Sequence, residues 1–567
     1  MKTEGKSGLV KPAISKINIG DEEISIKTGS VTVLVGPNNS GKSHFLDQLE
    51  AQLAGADSAF SKCNDGLISG VEVRWQGQGD LSEETCLLWA NQNLTIVPTG
   101  FYEVSVPKHF SSSLGSFGSY LDPDEVKTIF LETSILGKLV GYFVRRDGPL
   151  TRVQESFLKD LKEDSLAKRV WHDSEALAKV TKYFKEVFGE PLSVYDIGEG
   201  TIGYKIALPS EKMPRIDESF PFAQRAEMDR HPKVWQQGLG MQSVLGILLG
   251  LFADDRPIVL LDEPEAFLHP PQALRLGQIL REVAEEEGRQ IFCATHDKNL
   301  LSGLADGEKD TLSIIRLKRN AKSARNSSFG FSLIPSTFNR DIRSRSRIRH
   351  THLLDGLFSD AVIIVENEKD AFFFSEALGA LPKELTSGLQ PSSICFVGVG
   401  GKNNIPSTFE LLRSLKTPTV IIADTDFIVS DKYDHSGGPF IKVLEEVSAH
   451  NKNDIVSARN AIENLILSDA GRKDEGGRKR LLNKKLTQLY RNRPLWERVG
   501  QLNASLEGIP LCLVPGGELE DLDREIGGHG TDWVWNAINQ QSFANEATEG
   551  FMGKVLGKVV NQIVSGT

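Results

Sequence analysis

The chain is poor in cysteine, in uninterrupted apolar runs and in positive charge. Its 567 residues include five cysteines, Cys63, Cys86, Cys293, Cys395 and Cys512, none of them in a CxxC pair. That pattern argues against a zinc site and a disulfide framework, and fits a reducing compartment. No run approaches the roughly 18 consecutive apolar residues a membrane span needs. The first six residues, Met1 to Lys6, lack the apolar core of a secretory leader. The expectation is a cytoplasmic protein without a membrane partner. Lys and Arg number 65 against 76 Asp and Glu, a net charge of −11. The surface as a whole therefore repels polyanions, and nucleic acid has to be met by local basic patches or by cations held among carboxylates. The length suggests about three or four domains.

What is present begins at Val31. An apolar strand, Val31 to Val35, runs into Gly36-Pro37-Asn38-Asn39-Ser40-Gly41-Lys42-Ser43 and then a helix. Glycines at the first and sixth positions let backbone N–H groups turn towards phosphate oxygens. Lys42 reaches the β- and γ-phosphates, and Ser43 offers a hydroxyl to Mg²⁺. The positive end of the helix faces the same phosphates. These residues, Gly36, Asn38, Asn39, Ser40, Gly41, Lys42 and Ser43, form the expected nucleoside triphosphate site.

A nucleotide hydrolase also needs acids at a neighbouring strand end. Pro257 to Glu263 supplies a buried-strand pattern closing on Asp262, expected in the Mg²⁺ shell, and Glu263, expected to polarise the attacking water. The apolar strand Gln290 to Ala294 leads to His296, expected near the γ-phosphate. More than two hundred residues separate Lys42 from Asp262, so something is inserted. Apolar spacing predicts helices within 123–188, through Val126, Ile129 and Phe130 and again through Leu177, Val180, Phe184 and Val187. Strands are expected at Leu192 to Tyr195 and Ile202 to Ala207. The insertion either packs on a partner, lines a clamp or is filler.

Gln237 to Ser243 is glycine-rich and opens an apolar helix. Together with Asn38-Asn39 and with Asp262-Glu263-Pro264-Glu265-Ala266-Phe267-Leu268-His269-Pro270, it resembles the ABC/SMC-type ATPases of the OLD (overcoming lysogenization defect) family. The resemblance implies an α/β, ABC-type P-loop ATPase. In such enzymes the glycine-rich signature of one head caps the γ-phosphate bound by another, here through the amides of Gly238 and Gly240. Leu239 stands where the signature has serine, and it cannot hydrogen-bond phosphate.

After residue 320 the composition shifts. Asn339 to His350 is strongly basic and reads as a connector or the start of an exposed helix. Beyond it, Ala361 to Val365 is a buried strand ending in Glu366, with Asp370 at the head of the next helix. Thr419 to Ala423 is another, ending in Asp424-Thr425-Asp426. Acids at the carboxyl ends of parallel strands converge at the crevice of an open α/β sheet, and a divalent cation relieves their repulsion. This arrangement resembles a Toprim domain. Ile394 to Lys402 looks like the family's strand followed by Gly-Gly-Lys, which brings Lys402 to the metal site. Ile509 to Pro515 resembles its final strand, with Glu520 matched to the last carboxylate and Glu518 competing. Lys554 and Lys558 offer a further phosphate contact. A basic stretch, Arg472 to Arg498, is either an exposed helix or a nucleic-acid track.

The boundaries expected are an ATPase N-terminal part over 1–100, a mainly helical dimerisation insertion over 101–225, an ATPase C-terminal part over 226–335, a basic linker over 336–355 and a Toprim domain, a Rossmann-like parallel α/β fold, over 356–567. The resemblance implies an ATP-gated, Mg²⁺- or Mn²⁺-dependent endonuclease. Glu366, Asp370, Asp424, Asp426 and Glu520 would hold two metals, with Lys402 offsetting charge, and a further Mg²⁺ would sit at the ATPase site. It also implies a homodimer or higher assembly acting in anti-phage defence, of Gabija, retron or PARIS type, with a retron RNA–DNA complex or a helicase-like protein as possible partner. DNA is taken ahead of RNA as substrate. An RNA- or tRNA-cleaving effector, or an SMC-like DNA clamp with an inactive Toprim, stays open.

Overall fold

In the computed structural model the described residues are 11–53, 67–76, 95–97, 101–103, 143–144, 170, 173–196, 202–206, 232–253, 257–321, 327–344, 352–386, 388–428, 438–447, 451–468 and 493–565. The helical expectation around Val126 to Leu139 and most of the basic stretch at 472–498 lie outside them. The chain divides into two compact units, 1–35 with 39–344, and 345–567 with 36–38.

The first unit is organised on a six-stranded sheet. Its order is Ser327–Ile334, Leu312–Ala321, Val31–Val35, Gln290–Ala294, Ile258–Asp262 and Phe143–Val144. The first pair is antiparallel and the others parallel. Val31–Val35 and Gln290–Ala294 are buried at every position, as mostly apolar strands are when both faces of a sheet are covered. A three-stranded antiparallel sheet, Glu22–Ser25, Lys11–Ile19 and Ile68–Gln76, shares a core with the helix Lys42–Leu53 through Ile14, Ile17, Phe45 and Leu49. The buried Gln290 side chain ties the two sheets: its amide accepts from Ile14 N at 2.7 Å and donates to Ile14 O at 2.8 Å.

Parts of the stretch expected as an insertion belong to this core. Phe143–Val144 is the edge strand beside Ile258–Asp262. The helix Ser174–Phe188 is capped by Asp173 and closed by Gly189 at φ 73°. Its Tyr183 stacks on Phe252 at 5.6 Å. Periodicity found this helix but not its partner. Leu192–Asp196 and Ile202–Ile206 pair as an antiparallel hairpin. The basic segment after residue 335 starts as a helix, Ser336–Ser344, anchored by the buried Asn339 amide on Leu312 O at 2.8 Å.

The second unit is a four-stranded, all-parallel sheet in the order Ile394–Gly398, Ala361–Val365, Thr419–Ala423 and Leu511–Leu513. Phe373, Phe374, Trp533, Phe551 and Met552 fill one side. Gly398 closes its strand directly against the head of the helix Glu368–Ala380. A Cβ there would lie 2.6 Å from Glu368 N and 2.7 Å from the Asn367 carbonyl carbon. Both are backbone atoms and cannot step aside cheaply. Gly398→Ala is expected to cost about 1–3 kcal/mol, the usual price of overpacking, measured as a lower urea midpoint with an unchanged slope.

Candidate functional site

The loop after Val31–Val35 holds three backbone positions in the left-handed region, Gly36 at φ 143°, Asn39 at φ 62° and Gly41 at φ 95°. Glycine meets the first and last without strain, and asparagine tolerates the middle one. Ser40 Oγ is buried and has no partner among the described residues, an uncommon state for a hydroxyl that a phosphate oxygen would end. Asn38 and Asn39 are exposed at the loop tip, and Ser43 is exposed in the first turn of the helix Lys42–Leu53. Burial lowers the Lys42 pKa, while Glu263, Asp262 and Glu265, in that order, oppose the shift. A buried ammonium facing three acids fits a bound polyphosphate and its cation.

Asp262 ends its strand in register with Ala294. The chain then turns, with Glu263 at φ 48° and its N–H donating to Ala294 O at 2.9 Å. His296 Nδ1 lies 3.3 Å from Glu263 Oε1, so the two residues expected around the attacking water meet. Sequence reasoning missed a third. Glu265, buried beneath them, accepts from Thr295 Oγ1 at 2.7 Å and from His296 N at 3.2 Å, and burial pushes its carboxyl up to about 7. The signal was a second acid two positions beyond the strand-end pair. Gly238 and Gly240 open the helix Leu239–Ala253. Gly240 abuts the Phe267 carbonyl, where a Cβ would sit at 2.6 Å, and Leu239 is 43% exposed.

In the second unit the strand-end acids gather. Glu366 Oε1 accepts from Lys402 N at 2.9 Å, and Lys402 Nζ donates to Asp426 Oδ2 at 2.8 Å. One lysine thus holds the ends of two neighbouring strands. Gly400 at φ 67° and Gly401 at φ 113° make the turn that brings it there. Asp370 caps its own helix by accepting from Asn367 N at 3.0 Å. Burial raises the pKa of Glu366, then the charge of Asp426. Burial holds Asp370 at about 6. Asp424 is pushed well above its ordinary range by burial, then by Glu366, Asp370, Asp426 and Glu518. Among the described residues its carboxylate accepts no hydrogen bond. Four acids with one lysine among them leave an excess of negative charge that suits hard divalent cations.

Both candidate last acids border the cluster. Glu518 reaches about 7 through burial and then Glu520. Glu520 Oε1 accepts from Gly530 N at 2.7 Å and lies 2.9 Å from His529 Nδ1. Glu518, Glu520 and His529 bring one ligand atom each within 4.8 Å of one another. His529, an exposed residue in a glycine-rich turn, carried no sequence signal. Lys558 does not serve as a free phosphate contact: its Nζ donates to Leu506 O, Ile509 O and Leu511 O at 2.6–2.7 Å, so it is spent fixing the approach to the last strand.

A pH prediction follows. Unfolded carboxyls titrate near about 4, whereas Asp370 and Glu518 hold protons up to about 6 and about 7. Between these values the folded state binds more protons than the unfolded one. Metal-free stability therefore falls as pH rises from about 4 to about 7. Mg²⁺ requires the ionised cluster. Scanning calorimetry is expected to show Mg²⁺ raising Tm more at pH 8 than at pH 5.5, by about 3 °C or more.

Comparison with known proteins gives two family matches. Residues 222–302 match the AAA domain family described as putative AbiEii toxin, Type IV TA system. Residues 357–426 match the Toprim domain of overcoming lysogenization defect protein-like proteins. The Old nuclease of Escherichia phage P2 is 26% identical over 172 residues, 30% of this chain and 28% of that protein. The match thus spans under a third of that relative's length. The OLD nuclease of Thermus scotoductus is 25% identical over 452 residues, 71% of this chain and 80% of that protein. Among solved structures, an SMC head bound to the C-winged helix domain of ScpA aligns with TM-score 0.33 and 13% identity, over 57% of this chain and 99% of its own. An ATP-binding cassette of an ABC transporter in its ADP conformation aligns with TM-score 0.24 and 14% identity, over 55% and 87%. No helix among the described residues is long and apolar enough to cross a membrane.

Proposed function

We propose that this chain, an ATPase–Toprim protein of the OLD family, is a metal-dependent endonuclease whose cutting is governed by ATP. The observation that carries the reading is the gathering of Glu366, Asp370, Asp424 and Asp426, with Lys402 joining Glu366 to Asp426 and with Glu518 and Glu520 at the border. These acids would hold the divalent ions, Mg²⁺ or Mn²⁺. When bound, such ions lower the pKa of water and neutralise charge on a phosphodiester.

The residues divide the remaining tasks. Glu366 is oriented by the Lys402 amide, and Asp426 by its ammonium. Held between Glu366 and Asp426, Lys402 would offset the charge that grows on the phosphate oxygens. In the ATPase unit, Lys42 and the backbone N–H groups of the loop 36–43, Pro37 aside, would receive the phosphates, Ser43 and Asp262 would hold Mg²⁺, and Glu263 with His296 would orient water. Gly238 and Gly240 would offer amides to a nucleotide held by a second copy, so the assembly is a homodimer or larger. DNA is the substrate in this reading and anti-phage defence the setting, with a defence-system partner.

The test is cleavage by purified protein. Supercoiled plasmid is expected to be nicked or linearised with Mg²⁺ or Mn²⁺ and spared in EDTA. Cleavage of tRNA with intact plasmid would move the substrate to RNA. Identical plasmid patterns from wild type and Glu366→Ala would leave a DNA clamp in place of a nuclease.

A further inference from the structure

Beside the acid cluster two large rings stand in solvent. Phe372, on the helix Glu368–Ala380, is 56% exposed, and Trp535, on the helix Thr531–Asn539, is 53% exposed. They stack on one another with centroids 6.3 Å apart and planes 28° from parallel. The opposite faces of the same helices already bury Phe373, Phe374 and Trp533, so neither outer ring is needed to close the core. Leaving two rings in water forgoes burial that a structural aromatic would take.

The pair is continuous with the acid site. Gly530, which starts the Trp535 helix, donates its N–H to Glu520, and His529 lies on the same carboxylate oxygen. Lys369 is one helical turn before Phe372. Its Nζ lies 3.5 Å from where a Cβ on Gly530 would be. The Lys369 ammonium, with the His529 imidazole beside Glu520, therefore stands between the carboxylates and the rings. On the outer side, exposed Glu376 follows Phe372 by one turn and exposed Asp532 precedes Trp535 by one turn. These acids repel a phosphate backbone from the rings themselves. A flat, uncharged, aromatic ligand meets no such barrier.

We propose that Phe372 and Trp535 form a stacking platform for unpaired nucleobases next to the scissile phosphate, which makes a single-stranded or frayed nucleic acid the preferred substrate. The inference rests on the nuclease reading and names its substrate class. Bases in an intact duplex expose only their edges, whereas unpaired bases present the π-faces that stack on aromatic side chains. The strand's phosphate is then directed along Lys369 towards the acids.

The test measures binding of the full chain in a Glu366→Gln background, by fluorescence anisotropy, to a labelled 12-nucleotide single strand and to a 12-base-pair blunt duplex. Stacking on one ring contributes about 1–3 kcal/mol by alanine substitution, so Trp535→Ala is expected to weaken single-strand binding about fivefold to a hundredfold. Duplex binding should change less than about twofold. Trp535→Phe should recover most of the loss, and Trp496→Ala, removing another exposed tryptophan of the same unit, should change neither ligand. Unchanged single-strand affinity, or an equal loss for the duplex, would overturn the platform. So would a dimer that falls apart on Trp535→Ala in sedimentation, since a second copy would then be what covers the rings. If Trp535→Ala selectively weakens single-strand binding while wild type cuts nothing with Mg²⁺ or Mn²⁺, the platform stands and the nuclease reading fails. Active wild type with unaltered binding in Trp535→Ala sinks the platform alone.

Discussion

Glu366→Gln is expected to lower metal-dependent cleavage by on the order of 10³-fold while ATP hydrolysis stays within about twofold of wild type. The first figure compares with the loss of a single preorganised group aimed at transition-state charge. Glu366 accepts the Lys402 amide and neighbours Asp424 and Asp426, so the substitution removes one formal charge from the cluster and, in the proposed reading, one ligand oxygen. Glutamine keeps the shape and accepts the same N–H, so the fold should survive. The change also relieves like-charge repulsion, and metal-free Tm at pH 8 is expected to rise slightly. A charge that costs stability and carries activity separates the two readouts, as a merely structural acid would not. Cleavage assays over a Mn²⁺ series, with calorimetry on the same samples, check it. Wild-type cleavage by Glu366→Gln would contradict the assignment.

Lys42→Ala is the second large effect. Burial already opposes the charged form of this ammonium, and Glu263, Asp262 and Glu265 favour it. Polyphosphate supplies the charge that makes the site favourable, and alanine leaves the acids facing that polyphosphate unbalanced. Hydrolysis is expected to fall by on the order of 10³-fold, in the range seen when a cationic group on a transferring phosphoryl is lost. Binding of a fluorescent ATP analogue is expected to disappear within the measurable range. The acid cluster of the second unit holds its own contacts, so Mn²⁺ binding should persist in Lys42→Ala. Unaltered hydrolysis would show that the loop is not the nucleotide site.

Much of both sites was legible because a buried parallel strand has to end where its polar residues reach the sheet's edge. Val31–Val35, Ile258–Asp262, Ala361–Val365 and Thr419–Ala423 are apolar runs closed by glycine or acid, and the carboxyl ends of such strands mark the crevice. What escaped was of two kinds. Glu265 and His529 act through partners beyond any helix or strand repeat, Thr295 and Glu520, and pair patterns have no period. Lys558 was misread because its type suggested phosphate, whereas three backbone carbonyls at 2.6–2.7 Å claim it.

By itself the sequence determined the two α/β units, the phosphate loop and the acids that close the apolar strands. Each of these is local, set by alternation, apolar runs and the few residues able to take a given backbone angle. Only the tertiary structure decided which acid faces which and that Lys402 joins Glu366 to Asp426. It also decided that a buried carboxyl lies under His296 and that Phe372 meets Trp535 in solvent. Those are contacts between segments far apart in the chain, fixed by packing and electrostatics rather than by any spacing along it.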